Sequence, residues 1–365
     1  MADAGASTPA VAPDGTTYKI VPGVDAVGNA QWSLVATNVR GVGGTRWREA
    51  FDPCWQPIGL TSSEQPEIVM GADGTVYVVL GHRVGAGWDG SSDRQRLVAA
   101  GPDGVRATQL HAGSQLFTSP DGTVYIFSHD IDWTDGHRSS SLAALGPDGR
   151  PKAGWPFTSK EPLSVPAFGA DGTVYLAQTT YGPQATDSGG QIIALGPDGR
   201  MQPGWPHVPP GNLTLLGLCG ENLYFPPRSP SIAPDGSLYD AFDNGIYMVG
   251  PDGQAKPGWP YLLPTGLSVP CEGGSQFAPI RTTDGRIYLP LDDGVSSQRS
   301  EITCLLPDGT LCPGWPVSLP DGTAVCRFSV NEHGIVHAEP WLADGCGPEG
   351  TDSRIDIRPD GSIIE

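Results

Sequence analysis

Residues 144–156 read Ala-Leu-Gly-Pro-Asp-Gly-Arg-Pro-Lys-Ala-Gly-Trp-Pro, and residues 194–206 read Ala-Leu-Gly-Pro-Asp-Gly-Arg-Met-Gln-Pro-Gly-Trp-Pro. The two stretches share an apolar pair, a Pro-Asp-Gly tripeptide and a closing Gly-Trp-Pro. Pro-Asp-Gly favours a type I turn followed by glycine in the left-handed region, which joins two antiparallel strands through a bulged hairpin. Each stretch therefore predicts a hairpin turn followed by a repeated tryptophan.

Two kinds of turn alternate along the whole chain. The Pro-Asp-Gly turn recurs with its aspartate at Asp103, Asp148, Asp198, Asp252, Asp308 and Asp360. Between these copies lies an Asp-Gly-x-x-Tyr turn, whose aspartates are Asp14, Asp73, Asp121, Asp171, Asp235 and Asp284. A seventh copy carries His333-Gly334 and His337 in the same positions. Two hairpins per unit make a four-stranded sheet, and a spacing of about 50 residues matches the blades of a β-propeller.

We therefore predict an all-β protein, a seven-bladed β-propeller of four-stranded antiparallel blades, forming a single domain over residues 1–365. The strands of each blade are named A to D in chain order. The predicted blades cover residues 5–55, 62–112, 113–160, 161–212, 226–264, 273–319 and 324–365. In the fourth blade we expect strand A near 165–168, B near 173–177, C near 191–195 and D near 204–208.

The Gly-Trp-Pro tryptophans occupy one position of the repeat. They are Trp155, Trp205, Trp259 and Trp315, with Trp47 in the equivalent place of the first unit. We place them on strand D, where an indole can pack into the seam between blades and proline removes a donor from an outer strand. The alternative is a set of aromatic ligand contacts.

The pattern over residues 144–156 and 194–206 resembles the repeats of PQQ-like β-propellers, in which such a stretch ends in a tryptophan that docks one blade on the next. The resemblance covers most of the chain. In that superfamily the quinoprotein dehydrogenases hold their cofactor with a disulfide between adjacent cysteines and usually have eight blades. This chain has seven units and no adjacent cysteines, so we expect no resident cofactor, PQQ in particular, and a non-quinoprotein relative.

Composition restricts the partners. The chain is acidic, with a net charge of −19, which repels phosphate backbones and anionic lipids, so we expect neither nucleic-acid binding nor membrane insertion. We expect a monomer that is secreted, periplasmic or on the cell surface. Seven cysteines without a CxxC pair favour disulfides over zinc, with Cys219–Cys271 and Cys326–Cys346 as the pairs to test. Buried free thiols are the alternative.

The loops opposite the Pro-Asp-Gly turns, which join strand B to C and strand D to the next A, are long and differ between blades. They combine aromatic residues with carboxylates, a pairing suited to sugar or protein surfaces. The predicted ligand-binding residues there are Trp88, Asp89, Trp133, Tyr181 and Trp341. Alternatively, each tryptophan packs into a small apolar core within its own loop.

Two further sets of residues are candidates at this face. The starts of the A strands would line the mouth of a central channel, and we predict ligand contacts from Glu67, Arg228 and Arg327, or simple hydration of the channel. Asp130, Asp132 and Asp135 are spaced like a short calcium loop, so this segment binds calcium or is a solvated acidic turn.

No known catalytic motif occurs in the chain, and we lean away from an enzyme. His333 and His337 fall in the turn and tyrosine positions of the repeat, which argues against a metal pair. The function we predict is a binding module for a carbohydrate or protein. The alternatives are a polysaccharide lyase or hydrolase with its site at the channel mouth, and a structural interaction domain of a larger protein.

Overall fold

The computed structural model of the chain describes residues 8–38, 44–51, 55–57, 68–82, 94–111, 114–131, 138–180, 189–209, 229–242, 245–269, 271–272, 275–276, 279–293, 299–320, 324–342, 345–346 and 354–364. Every regular element in these ranges is a β-strand. Within the same ranges there is no helix long and apolar enough to cross a membrane.

Within the described residues the strands form seven antiparallel sheets and one separate two-stranded ribbon. The seven sheets follow one another along the chain and are the blades of a seven-bladed β-propeller, as predicted. By internal packing the chain divides into two compact units. One comprises Met1–Pro162, Phe168–Val174 and Leu195–Arg200, and the other comprises Leu163–Ala167, Tyr175–Ala194 and Met201–Glu365. The single domain over 1–365 and its blade boundaries stay predictions.

The first three sheets lie in the first unit. The first contains β1 Ala10–Val11, β2 Thr17–Val24, β3 Ala30–Thr37 and β4 Thr45–Ala50. The second contains β5 Trp55–Pro57, β6 Val69–Met70, β7 Val76–His82, β8 Arg94–Gly101 and β9 Gly104–His111. The third contains β10 Ser114–Thr118, β11 Val124–Ile131, β12 Arg138–Ala144 and β13 Phe157–Ser159. In each sheet, consecutive strands along the chain are neighbours, apart from β5 and β6, which both pair with β7.

Four more sheets follow. The fourth contains β14 Ala167–Phe168, β15 Val174–Thr180 and β16 Gly189–Leu195. The fifth contains β17 Ser231–Ile232, β18 Leu238–Phe242, β19 Gly245–Val249 and β20 Tyr261–Leu262. A separate ribbon pairs β21 Cys271–Glu272 with β22 Ser275–Gln276. The sixth contains β23 Ile280–Arg281, β24 Ile287–Asp292, β25 Ser300–Leu305 and β26 Val317–Ser318. The seventh contains β27 Val325–Val330, β28 Val336–Leu342, β29 Gly345–Cys346, β30 Ile355–Ile357 and β31 Ile363–Ile364.

The departures from four strands keep the four positions of a blade. In the second sheet, β5 and β6 share the strand A position beside β7. In the seventh, β29 and β30 share the strand C position beside β28. In the fourth, an isolated bridge between Ile192 and His207 occupies the strand D position. The repeat therefore controls the number of positions, while local sequence decides how much of each becomes regular strand.

Both kinds of turn have the predicted bulged hairpin geometry. In the Pro-Asp-Gly turn of the third blade, Gly149 N donates to Gly146 O at 2.9 Å, and Gly146 N donates to Arg150 O at 2.8 Å. Gly149 has a φ of 72°, in the left-handed region that favours glycine. The Asp-Gly-x-x-Tyr turns have the same bonds, with Gly15 N donating to Ala12 O at 2.8 Å and Ala12 N to Thr16 O at 2.8 Å.

The turn aspartates are held by their own turns. Asp14 accepts from the backbone N of Thr16 at 2.8 Å and from its hydroxyl at 2.9 Å. Bonds from the residue two positions further on hold the pKa of Asp14, Asp308 and Asp360 below the ordinary value. The carboxylates at this end of the blades thus serve as turn acceptors.

Each Gly-Trp-Pro tryptophan joins its blade to the turn of the next blade. The indole Nε1 donates to the proline carbonyl of the following Pro-Asp-Gly turn. The four bonds are Trp155 to Pro197 at 3.1 Å, Trp205 to Pro251 at 3.1 Å, Trp259 to Pro307 at 3.1 Å and Trp315 to Pro359 at 3.0 Å. Trp47 makes the same bond to Pro102 at 2.9 Å. The predicted role at the seam between blades is confirmed.

The tryptophan also packs on the tyrosine of its own blade. Ring centroids lie 5.4 Å apart for Tyr125 and Trp155 and 5.6 Å apart for Tyr175 and Trp205. Loss of hydration in this packing raises the pKa of Tyr125 to about 12. The two repeated aromatic residues therefore form one buried pair, which carries the contact from a blade to its neighbour.

The backbones of two turns meet beside each docked indole. A Cβ on Gly154 would lie 2.1 Å from the carbonyl oxygen of Asp198, and one on Gly199 would lie 2.6 Å from the carbonyl oxygen of Gly154. The same reciprocal approach joins Gly204 with Gly253, Gly258 with Gly309, and Gly314 with Gly361. These glycines are therefore required by the neighbouring blade as well as by their own turns.

The placement of Gly-Trp-Pro on strand D is wrong. Trp155 N donates to Lys152 O at 3.1 Å, the Trp155–Pro156 peptide bond is cis, and β13 begins only at Phe157. The same cis bond occurs at Trp205, Trp259 and Trp315. In these copies the motif is a turn that precedes strand D, whereas Trp47 lies within β4 and makes the same bond to the next blade.

A disulfide joins Cys304 and Cys312, a pair that the sequence analysis did not propose. The two residues face each other across the Pro-Asp-Gly turn of the sixth blade, where Cys312 N donates to Cys304 O at 2.8 Å. Cys326 is also disulfide-bonded. Cys219 and the side chains of Cys271 and Cys346 lie outside the described part of the chain, so Cys219–Cys271 and Cys326–Cys346 stay predictions.

We expect Trp205→Ala to destabilise the protein by about 3 to 5 kcal/mol, because the change removes a buried indole from a seam. Chemical denaturation measures the loss. Met201→Ala is the matched control, since Met201 is 40% exposed in the same segment and should cost little. An unchanged free energy of unfolding in Trp205→Ala would contradict the docking role.

We expect Gly199→Ala to cost about 1 to 3 kcal/mol more than Gly28→Ala, as overpacking does. Both glycines have positive φ, 77° and 91°, so both substitutions strain the backbone. Only at Gly199 would the added methyl group meet another backbone, since nothing lies within 4 Å of it at Gly28. Equal losses in denaturation would show that the turns do not touch.

Candidate binding site at the loop ends of the blades

Most of the predicted site residues lie outside the part of the chain that the structure describes. These are Glu67, Trp88, Asp89, Asp132, Trp133, Asp135, Tyr181 and Arg228. Trp341 and Asp130 lie near the ends of β28 and β11, paired in register with Cys346 and Ser139. The ligand-binding and calcium roles of these residues stay predictions.

We use "loop end" for the end of a blade opposite its Pro-Asp-Gly turn, where strand B ends and strand C begins. At the loop end of the third blade the ladder continues to Ile131 and Arg138. Asp130 therefore belongs to β11, and not to the loop between strands B and C in which a short calcium loop would lie. Its remaining segment, 132–137, lies outside the described residues.

Arg327 is the one predicted site residue whose side chain is described, and it is held by a carboxylate. Its Nη1 donates to Oε2 of Glu339 at 2.9 Å, and the two residues face each other across β27 and β28. The Glu339 side chain is 16% exposed and that of Arg327 is 38% exposed. The ion pair with Glu339 fixes the orientation of the Arg327 guanidinium and leaves part of that group exposed to solvent.

A second polar pair lies at the loop end of the fourth blade. The amide of Gln191, near the start of β16, donates to the side-chain oxygen of Gln178, near the end of β15. The backbone of Gln178 also bridges to Leu163. Neutral amides within a sheet of apolar strands bring hydrogen-bonding groups to this end without adding charge.

Glu301 is a buried carboxylate that the sequence analysis missed. It lies near the start of β25 with its side chain only 6% exposed. Among the described residues Oε1 has no hydrogen-bond partner, and Oε2 lies 3.8 Å from Nη2 of Arg299. Loss of hydration raises the pKa of Glu301, and the charge of Arg299 partly opposes this rise. An under-partnered buried carboxylate is a common feature of functional sites.

A comparison between repeats could have found Glu301. In five blades the repeat tyrosine pairs with a residue of strand C, and the residue three positions before that partner is Ser33, Arg96, Ser141, Gly245 or Glu301. In the fourth blade the residue that aligns with Ser141 in the repeat is Gln191. None of these is a large apolar residue, although the strand around them is buried. A polar residue at this position of the repeat is therefore visible in the sequence, whereas the burial of Glu301 is visible only in the folded blade.

The histidines of the seventh blade occupy the positions that the repeat assigned to them. Gly334 N donates to Asn331 O at 3.0 Å, so His333 stands in the aspartate position of the turn. Asn331 Oδ1 accepts from the backbone N of His333 at 3.0 Å, a bond within the turn. His337 takes the tyrosine position and its Nδ1 lies 2.7 Å from Oδ1 of Asp356. Among the described residues no group of three His, Cys, Asp or Glu side chains could hold a metal ion.

No family model and no curated protein matches the chain. Among solved structures it is similar to a mutant of puromycin hydrolase complexed with PGG, with 15% identity and a TM-score of 0.43 over 98% of this chain and 52% of that one. It is also similar to the β-propeller domain of the Trilobed protease from Pyrococcus furiosus, with 12% identity and a TM-score of 0.39 over 99% and 96%. A eukaryotic initiation factor shows 10% identity and a TM-score of 0.47 over 98% and 76%.

The chain spans about half the length of the puromycin hydrolase that it matches. Likeness at these identities and TM-scores carries no inference about activity. The fold assignment rests on the sheets, turns and docking contacts of the chain itself.

We expect Glu301→Gln to stabilise the protein more at about pH 8 than at about pH 4. The folded-state pKa of Glu301 is raised, so its contribution to stability is present below the unfolded pKa and is lost as the pH rises through the folded pKa. The glutamine side chain does not ionise, so the variant does not lose this stability as the pH rises. Thermal unfolding at both pH values measures the difference.

Glu332→Gln is the matched control, because the Glu332 side chain is 88% exposed. Its effect on the melting temperature should be small at both pH values. A Glu301→Gln effect equally independent of pH would show that the carboxylate is hydrated in the folded protein.

Proposed function

We propose that the protein is a propeller binding module that recognises a carbohydrate or protein ligand through the loop ends of its blades. The observation that carries the proposal is the contrast between the two ends. At the Pro-Asp-Gly end, aspartates and indoles are committed to turns and to docking. At the loop ends, polar side chains enter the blades in pairs.

The polar pairs suit binding better than catalysis. Arg327 is balanced by Glu339, and Glu301 lies beside Arg299. Such pairs present donors and acceptors to a ligand from a rigid strand, which suits the hydroxyl groups of a sugar or the polar groups of a protein surface. Trp88, Trp133, Tyr181 and Trp341 would add flat apolar contacts, with Asp89, Glu67 and Arg228 beside them.

The same proposal covers the repeat type and the compartment. The resemblance to PQQ-like repeats implies a tryptophan that docks on the next blade, and the indole bonds from Trp155 to Pro197 and its equivalents support that type. The Cys304–Cys312 disulfide supports an oxidising compartment, such as the periplasm or the cell exterior. A calcium ion at Asp130, Asp132 and Asp135 would be an addition to the site.

We expect Trp88→Ala, Trp133→Ala and Trp341→Ala each to weaken ligand binding by about 1 kcal/mol or more, as truncation of an aromatic anchor does. A glycan array identifies the best carbohydrate ligand for the unaltered protein, and calorimetric titration then gives the affinity of each variant. The metal content of the purified protein is measured in parallel with these titrations. The melting temperatures of these variants should stay unchanged.

Asp198→Asn is the matched control at the opposite end, where Asp198 Oδ1 accepts from the backbone N of Arg200 at 3.1 Å. It should lower stability slightly and leave the affinity unchanged. Full affinity in all three tryptophan variants would remove the loop ends as the site of recognition.

A further inference from the structure

Arg281 breaks the repeat at the Pro-Asp-Gly end of the sixth blade. It stands three residues before the turn aspartate, at the end of strand A. The same position holds Val11, Met70, Thr118, Phe168, Ile232 and Val330 in the other blades. Phe168 shows what this position does, since its ring packs 5.0 Å from that of Tyr125 in the preceding blade. In the sixth blade a guanidinium stands where the fourth blade has this aromatic contact.

Arg281 lines a cleft of about 260 Å³. Its lining residues are Ala233, Asp235, Met248, Lys256, Pro257, Arg281 and Pro307. A neighbouring cleft of about 410 Å³ shares Lys256 and Pro257 with it. The first cleft is slightly smaller than the roughly 300 Å³ at which pockets for drug-sized molecules begin, so it suits a smaller ligand.

Among the described residues, the charged groups around the cleft leave Arg281 without an anion. Lys256 Nζ lies 3.1 Å from Oδ2 of Asp235, which neutralises it. The nearby turn carboxylates are engaged elsewhere, since Asp284 pairs with Arg286 at 3.3 Å and Asp308 accepts from Thr310. Within the described residues, the Arg281 guanidinium makes only a long bond of 3.4 Å, to the carbonyl of Thr282, and no ion pair.

The chemistry of the cleft selects the kind of anion. One unpaired guanidinium balances a single negative charge and presents a fork that matches the two oxygens of a carboxylate. Met248, Pro257 and Pro307 offer an apolar wall for the remainder of such a molecule. A phosphate would need further donors, but Gly253 N and Gly309 N of the bordering turns already donate within their own turns.

We propose that this cleft binds a small monocarboxylate with an apolar body, whose carboxylate pairs with Arg281. A free organic acid and the C-terminal carboxylate of a peptide share this chemistry. The site lies at the opposite end of the blades from the proposed recognition face. Binding at this site is therefore independent of that function, and the two are tested separately.

The experiment is calorimetric titration of the full chain with N-acetyl-leucine, its neutral amide and inorganic phosphate. We expect binding of the acid and none of the amide. Arg281→Gln should weaken binding about tenfold or more, because it removes a charge-assisted pair. Arg281→Phe installs the residue of the fourth blade, and it should abolish binding while keeping the melting temperature. A short peptide ending in leucine, compared with the free acid, shows by its affinity which source fits better.

Arg200→Gln is the matched control, because Arg200 lies beside the Pro-Asp-Gly turn of the fourth blade with its side chain 86% exposed. It should bind the acid as the unaltered protein does. Three results would overturn the proposal: no binding of the acid at about 10 mM, equal affinity in Arg281→Gln and the unaltered protein, or phosphate binding as tightly as the acid.

Discussion

The indole-to-carbonyl contact between successive blades is the interaction on which the rest of the structure depends. A single blade has two apolar faces and cannot bury both alone, so its stability depends on its neighbours. The Trp205 Nε1 bond to the Pro251 carbonyl, with Gly204 and Gly253 in backbone contact beside it, joins one blade to the next at one repeated point. An indole there supplies apolar area and one directed bond, which together set both distance and register.

That contact explains why the two ends of the blades differ. At the four Gly-Trp-Pro contacts, glycine lets the two turns approach, tryptophan bonds to the next blade, and aspartate holds the turn. The loop ends lie away from these contacts, so their sequences are free to differ. The partly exposed pair of Arg327 and Glu339 and the buried Glu301 occur there, at positions where the repeat tolerates polar side chains.

Departures from the repeat are informative because each position can be compared with its equivalents in the same chain. Arg281 stands where Phe168 packs on an aromatic ring in the fourth blade, and Cys312 stands where Lys152 follows the turn of the third blade. The first exchange puts a guanidinium, which makes no ion pair with the described residues, in the place of an aromatic ring. The second replaces a polar side chain by a covalent link across the hairpin. Neither is needed by the docking contact, so each calls for its own physical reason.

The sequence by itself determined the number of blades, the two turns, and the tyrosine and tryptophan positions. These features depend on local chemistry, since proline, aspartate and glycine set a turn within a few residues and repeat with a period. Only the tertiary structure decided that Gly-Trp-Pro is a turn outside strand D, that Cys304 pairs with Cys312 and that Glu301 is buried. The same holds for Arg281, which makes no ion pair with the part of the chain that the structure describes. Each of these depends on which residue of a neighbouring strand or blade lies opposite, and that register is set by packing between segments distant in sequence.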